Sequence, residues 1–369
     1  MPEGVVCVGE PGELIAGIPA MIGFSPQRSL VVLLLRAVPD RHESVLIDAV
    51  MRLDLDQDGG RSRLRAKTVV SCITQLSAHN DVAGVLAVII DDRVTESTVQ
   101  PDDAVDPCRT GRFAGLVAAV DRLLAVEDIP LAGAWAVPAI EPEQCWQSLL
   151  GGQQRGVLPD PAASALALSH VLDGRPVLGS RAELTALVAE DVELQQDVAA
   201  LLDSAATVAR DRYARAARRG DPDAYTRQAL EYVLWQVGNA GSGSQLMAPE
   251  LAEIAVALRD RAVRDIMFAV AVGEHAAAAA DLFSVLASAL SGRDRAEAAA
   301  LLGYCAYTRG DGPLAGVALE AALTADPDHS LALLLHDSLA VGIRPEQMRR
   351  LARSAFQAAA DLGVDLAGT

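Results

Sequence analysis

Ser29-Leu30-Val31-Val32-Leu33-Leu34-Leu35-Arg36 decides how the first half of this chain is read. Leu30 to Leu35 are apolar without a break. A strand wet on one face alternates polar and apolar residues, whereas one covered on both faces is apolar throughout. The run is too short to span a bilayer, so it predicts a strand inside a sheet covered on both faces. Residues 44–55, Ser-Val-Leu-Ile-Asp-Ala-Val-Met-Arg-Leu-Asp-Leu, predict a second strand antiparallel to it.

Working outward, the pattern alternates. Residues 5–8 predict a short strand and 11–18 a helix leading into Pro19. Residues 56–60 predict a turn, 62–80 a helix, 85–91 a buried strand, 94–107 a polar loop, 111–126 a helix and 129–137 a strand. Strand, helix, strand, helix, strand is the mark of an α/β unit with right-handed crossovers. Residues 138–161 read as irregular, 161–171 as a short helix and 175–179 as extended. Ser180 followed by Glu183 reads as a capping box opening a helix over 181–189.

From Val192 the character changes. Helices are predicted at 192–217, 222–239, 248–259, 261–290, 295–309, 313–325, 329–340 and 345–360. The fold class is therefore α/β, a mixed sheet with covering helices in the N-terminal half, followed by an all-α helical array. The predicted domains are 1–190 and 191–369. Within 297–325, Gly303, Ala306, Gly312, Ala315, Ala318 and Ala322 place small residues at three- and four-residue spacing, which lets two antiparallel helices approach closely. Together with the stop at Asp326-Pro327, the pair is similar to one tetratricopeptide-type unit.

The 369 residues carry a net charge of -18 and are 51% hydrophobic but only 4% aromatic. That composition excludes wholesale disorder, and the acidity disfavours nucleic acid as a partner. Two basic stretches, 61–67 and 210–219, read as solvated helix faces without aromatics for base stacking. The five cysteines are scattered, with no CxxC, which fits a reducing cytoplasm. Neither a signal peptide nor a membrane helix is expected: the apolar stretch 263–289 is broken by Arg264, Asp265, Glu274, His275 and Asp281.

No phosphate loop, GxSxG or HExxH is present, so no catalytic residue, cofactor or metal is assigned. The candidate ligand-binding residues lie around the first strand: Gly23, Ser25, Arg28 and Ser29 in the loop entering it, Arg52 and Asp54 at the end of the second, and Asp91 after a later one. Gly23 permits a turn. Arg52 and Asp54 share a strand face and are placed to pair. Asp54 and Asp56 with Asp91 and Asp92 are carboxylates at strand ends, where a hard cation could sit, although solvated ends are the simpler reading. Arg259, Asp260, Arg264 and Asp265, with Arg261, form a charged cluster read as a helix-surface network or an inter-domain clamp. Cys145 near Trp146 is a remote nucleophile candidate with His170.

Several of these stretches are carried together by a known family. Gly23-Phe24-Ser25-Pro26 with Ser29-Leu30-Val31-Val32, Arg52-Leu53-Asp54-Leu55, the region from Cys145 through Gly156, Ser164 and Gly174 to Ser180-Arg181-Ala182-Glu183-Leu184, and the ending Gly310-Asp311-Gly312 to Asp326-Pro327 resemble the actinobacterial domain-of-unknown-function family 4192. The resemblance covers nearly the whole chain. It implies a cytosolic protein of high-GC Gram-positive bacteria and supplies no activity. The expected function is a scaffold or regulatory protein that binds a protein partner, or itself, through the helical domain. The alternative is a small-ligand or nucleotide-handling enzyme with a pocket in the α/β domain.

Overall fold

The apolar run at 29–36 becomes β1 (Ser29–Val38), the second strand of a six-stranded sheet in the computed structural model. The structure describes residues 10–38, 41–57, 62–77, 82–94, 107–152, 154–172, 178–221 and 223–366; the strand expected at 5–8 lies outside them. The chain divides into two compact units, Met1–Arg181 and Ala182–Thr369.

In the first unit β1 pairs antiparallel with β2 (Arg41–Asp54) on one side and with β5 (Gly84–Ile90) on the other. β5 pairs parallel with β6 (Leu131–Val137), and the order is completed by β7 (Cys145–Ser148) and β8 (Arg155–Val157). β3 (Asp56–Gln57) and β4 (Ser62–Arg63) form a separate two-stranded ladder. α2 (Ala66–Ser77) connects to β5, and α3 (Pro107–Val126) links β5 to β6. Both helices cover one face: Val69, Ile73, Val117 and Leu124 pack with Leu30, Val32, Leu34, Ala87 and Ile89. Val31 and Leu33, on the opposite face, are as fully buried. Covering on both faces explains why β1 is apolar at every position.

Four expectations are corrected in this unit. α1 (Pro11–Ile22) runs through Pro19 and ends at Gly23, whose φ of 76° a side chain would resist. Proline costs a helix interior one hydrogen bond, and the burial of Ile15, Ile18 and Ile22 offsets that loss. The helix expected over 62–80 begins only at Ala66, because Ser62 and Arg63 pair with the Asp56–Gln57 segment read as a turn. Residues 138–161 contain β7 and β8, whose four and three residues are too short to show a period. The helix at 161–171 is a 3₁₀ turn, Pro161–Ala163, followed by α4 (Ala165–Leu172).

The second unit contains α6 (Val192–Arg218), α7 (Asp223–Gly241), α8 (Ala248–Leu258), α9 (Arg261–Val270), α10 (Ala276–Ala289), α11 (Gly292–Thr308), α12 (Gly312–Ala325), α13 (Ser330–Ala340), α14 (Pro345–Met348) and α15 (Arg350–Asp361), after the short α5 (Arg181–Ala186). The helix expected over 261–290 is two, interrupted by a turn that holds Gly273. That over 345–360 is also two.

α11 is the axis of this unit. From Arg295 to Thr308 every residue except Glu297 is buried, against α9, α10, α12, α13 and α14. Gly303 allows the close approach of α12: a Cβ there would stand 2.8 Å from the Leu319 side chain. Arg295 is tolerated in this core because its guanidinium donates to the carbonyls of Ala287 and Val188, both at 2.9 Å, and pairs with Glu190. The helix pair is thus core packing, and its facing surfaces are spent on one another.

Two measurements follow from α11. Gly303→Val overpacks the α11–α12 contact and is expected to cost about 1–3 kcal/mol, read from a chemical melt; an unchanged midpoint would contradict the packing. Burial pushes the Cys305 thiol and the Tyr307 phenol up to about 12, from 9.0 and 10.0, and Tyr304 in the same direction. The folded unit therefore keeps protons that the unfolded chain releases near pH 9 to 10. Their stabilising contribution is complete below about pH 9 and is lost as pH rises toward 12. Melting temperature should fall across that window by circular dichroism, and Tyr307→Phe should flatten the fall.

Candidate functional site

The register of β1 brings the predicted polar residues together. Ser29 lies opposite Asp54 on β2 and opposite Ile90 on β5. The start of β1 is therefore level with the carboxyl ends of β2 and β5, and Asp91 follows at once. Asp91 donates its N–H to the carbonyl of Val137 at the end of β6, at 3.1 Å. Ser29, Arg52, Asp54 and Asp91 thus share one end of the sheet. Leu55 is fastened there by a bond from its N–H to the carbonyl of Arg28 at 2.9 Å, which fixes the position of Asp56.

Two ion networks occupy this end. In the first, Arg52 Nε donates to Ser29 Oγ at 2.8 Å and its terminal nitrogen pairs with Asp54. Ser29 Oγ donates in turn to the Gln27 carbonyl at 2.6 Å. The guanidinium carbon of Arg52 lies 5.6 Å from the centroid of the buried Phe24 ring. Neighbouring Arg28 makes a bidentate pair with Asp92 at 2.9 and 3.0 Å. That pair is exposed, and the hydrogen bond from Arg28 holds the Asp92 carboxyl below the usual carboxylate range.

In the second network, Arg93 grips the fully buried Asp91 with Nε at 2.7 Å, a terminal nitrogen at 2.5 Å and its backbone N–H at 2.8 Å. It also reaches Asp56 at 2.9 Å. These bonds, led by those to Asp91, hold the Arg93 guanidinium more firmly protonated than usual. A buried carboxylate needs such a partner.

The remaining candidates serve position. Gly23 and Ser25 flank Phe24 and are tied to Leu178: the Leu178 N–H donates to the Gly23 carbonyl at 2.8 Å and the Ser25 N–H to the Leu178 carbonyl at 3.0 Å. They set the Phe24 ring under Arg52. Arg28 has φ of 44°, in the left-handed region that a non-glycine residue rarely adopts. Sequence reading overlooked Arg93 and Phe24. The triplet Asp91-Asp92-Arg93 directly after a buried strand was the available signal for Arg93. Each of Asp54, Asp56, Asp91 and Asp92 faces an arginine, and no group of three or more His, Cys, Asp or Glu side chains that could hold a metal ion occurs among the described residues.

A family model described as a domain of unknown function, DUF4192, matches residues 11–346. The chain belongs to this family. The match includes both ion networks and most of the helical unit of this DUF4192 chain. No curated protein and no solved structure matches it.

The predicted charged cluster lies in the helical unit. Arg259 pairs with Asp294 at 2.6 and 2.9 Å, and Asp260 caps α9, accepting from Ala262 N–H and Thr226 Oγ at 2.9 Å each. Arg264 turns to Asp265 and Glu297 rather than to Asp260, while Arg261 makes the expected i,i+4 pair with Asp265 at 3.5 Å. All these partners belong to the helical unit. Cys145 is exposed on β7, and the side chain of His170 lies outside the described residues. No helix among the described residues is long and apolar enough to cross a membrane.

The two networks predict unequal costs. Arg93→Ala leaves Asp91 buried without its guanidinium and should cost roughly 3 kcal/mol, the low end for a broken buried pair because Arg93 is a third exposed. Arg28→Ala, at an exposed pair, should leave the melting temperature unchanged. Equal effects of the two substitutions would refute the distinction.

Proposed function

We propose that this protein is a regulatory protein whose α/β unit binds a small anionic metabolite, carboxylate- or phosphate-bearing, at the Arg52 end of the sheet. The observation that carries the reading is the preparation of Arg52. Its guanidinium is oriented by Ser29 Oγ and by the Phe24 ring, and its remaining partner, Asp54, is half exposed. Water already competes for the half-exposed Asp54 carboxylate, so an incoming oxyanion can replace it while the guanidinium, only 15% exposed, keeps a charged partner. It then meets a fork already held in place. The strained backbone of Arg28 next to Ser29 fits a site of this kind, and so does its position beyond the carboxyl ends of strands.

Binding is favoured over chemistry, because Asp91 and Asp56, the sheltered carboxylates, are occupied by Arg93. The reading of a partner docked on 301–335 gains less support, since α11 is enclosed by its neighbours. A cytoplasmic location belongs to the proposal and rests on the scattered cysteines.

A thermal-shift series with inorganic phosphate, citrate and nucleoside phosphates tests it. One of these anions should stabilise the wild type by about 2.7 kcal/mol at a hundredfold excess over its dissociation constant. Arg52→Ala should abolish that gain while remaining folded, and Cys145→Ala should keep it. A flat series, or a gain that survives Arg52→Ala, would remove the assignment.

A further inference from the structure

A concavity lies within the helical unit, lined by α6, α7 and α8. Its volume is about 510 Å³, within the range of roughly 300–1,000 Å³ typical of small-molecule sites. Leu201 and Val208 of α6, Tyr225 and Tyr232 of α7 and Val256 of α8 make its walls. The Tyr225 hydroxyl has no hydrogen-bond partner among the described residues, whereas that of Tyr232 accepts from Gln236 at 3.0 Å. Arg212 stands on the α6 wall, paired with Glu253 of α8 at 2.5 Å. Both members of that pair are more than a third exposed.

The charge around this concavity is not the charge of the chain. Along α6 the lining row Leu201, Ala205, Val208, Arg212 advances by three or four residues, and the same row continues as Arg215 and Arg219. Arg215 and Arg219, with Arg218, are exposed and have no carboxylate partner among the described residues. Of the acids nearby, Glu253 is paired with Arg212, Asp221 with Arg227, and Asp260 caps α9, while Asp211 lies exposed on α6 beside Arg212. In a chain of net charge -18, an apolar cleft thus runs into a row of arginines.

We infer that the α6–α7–α8 cleft binds an amphiphilic carboxylate, with its apolar body between the tyrosine-bearing wall and α8 and its head at Arg212, Arg215 and Arg219. The shape selects an apolar body of small-molecule size. The arginine row selects a negative head over a positive or neutral one. Tyr225 offers the head or its linker one further donor. This site is separate from the strand-end site and does not depend on it.

Calorimetric titration of the full chain with laurate, dodecanol and dodecylamine, each below its aggregation threshold, tests the assignment. Trp235, packed on Tyr232 with ring centroids 6.3 Å apart, supplies a fluorescence readout at the cleft, checked with Trp235→Phe. Laurate should bind roughly tenfold more tightly than dodecanol, a difference equal to one head-group ion contact, and dodecylamine should bind weakest. The triple variant Arg212→Ala, Arg215→Ala, Arg219→Ala should bring laurate down to dodecanol while leaving dodecanol unchanged. Val208→Trp, which fills the cleft from an exposed position, should abolish binding of all three with the helical circular dichroism spectrum retained. Equal binding of the three probes, no binding of any, or laurate binding that survives Val208→Trp would overturn the proposal. Arg52→Ala should not alter laurate binding, which separates failure here from failure of the strand-end site.

Discussion

β1 has neighbours on both edges and cover on both faces. Its backbone hydrogen bonds are consumed by β2 and β5, and its side chains by helices on one side and by the opposite core on the other. A one-residue slip would turn every one of these side chains to the wrong face, so the strand has a single acceptable register. That register places Ser29 against Asp54 and Ile90. The strand-end networks are a consequence: once β1 is seated, Arg52 lies within reach of Ser29, and Asp91 leaves the sheet beside Asp56.

The interior of the α/β unit was legible because its strands carry unmixed apolar runs. The run at 85–91 and that at 129–137 became β5 and β6 within two residues at either end. What escaped was short or locally contradictory. β7 and β8 hold too few residues for any period to develop, and their pairing is dictated by the exposed edge of β6. Pro19 is a poor helix residue by itself, yet the tertiary burial of α1 overrides that preference. In the helical unit the breaks around Gly273 and Arg349 fall inside alanine-rich sequence, where periodicity runs on across a turn.

The strand-end residues were visible as a set of charges but not as a circuit. Sequence spacing could pair Arg52 with Asp54, two positions apart. It could not show that Asp91 would be claimed by Arg93, since that depends on the depth at which β5 ends. Asp91 is wholly buried and Asp92 largely exposed although they are adjacent, so neighbours in sequence enter different networks. The cleft beside α6 lay further from view. Its basic row was legible as arginines on a helix, but the apolar walls come from α7 and α8, brought there only by folding.

Ala296, Ala298, Ala299, Ala300 and Ala306 of α11 are all completely enclosed. Alanine is ordinarily the most replaceable of residues, since it offers neither bulk nor polarity. Here its smallness sets the distance between helix axes, and each added methylene has to displace a packed neighbour. The usual hierarchy of mutational tolerance is therefore inverted in this unit. The exposed charges of α6 can drift in sequence with little effect on the fold, while the plainest residues of α11 act as fixed spacers whose identity the surrounding helices enforce.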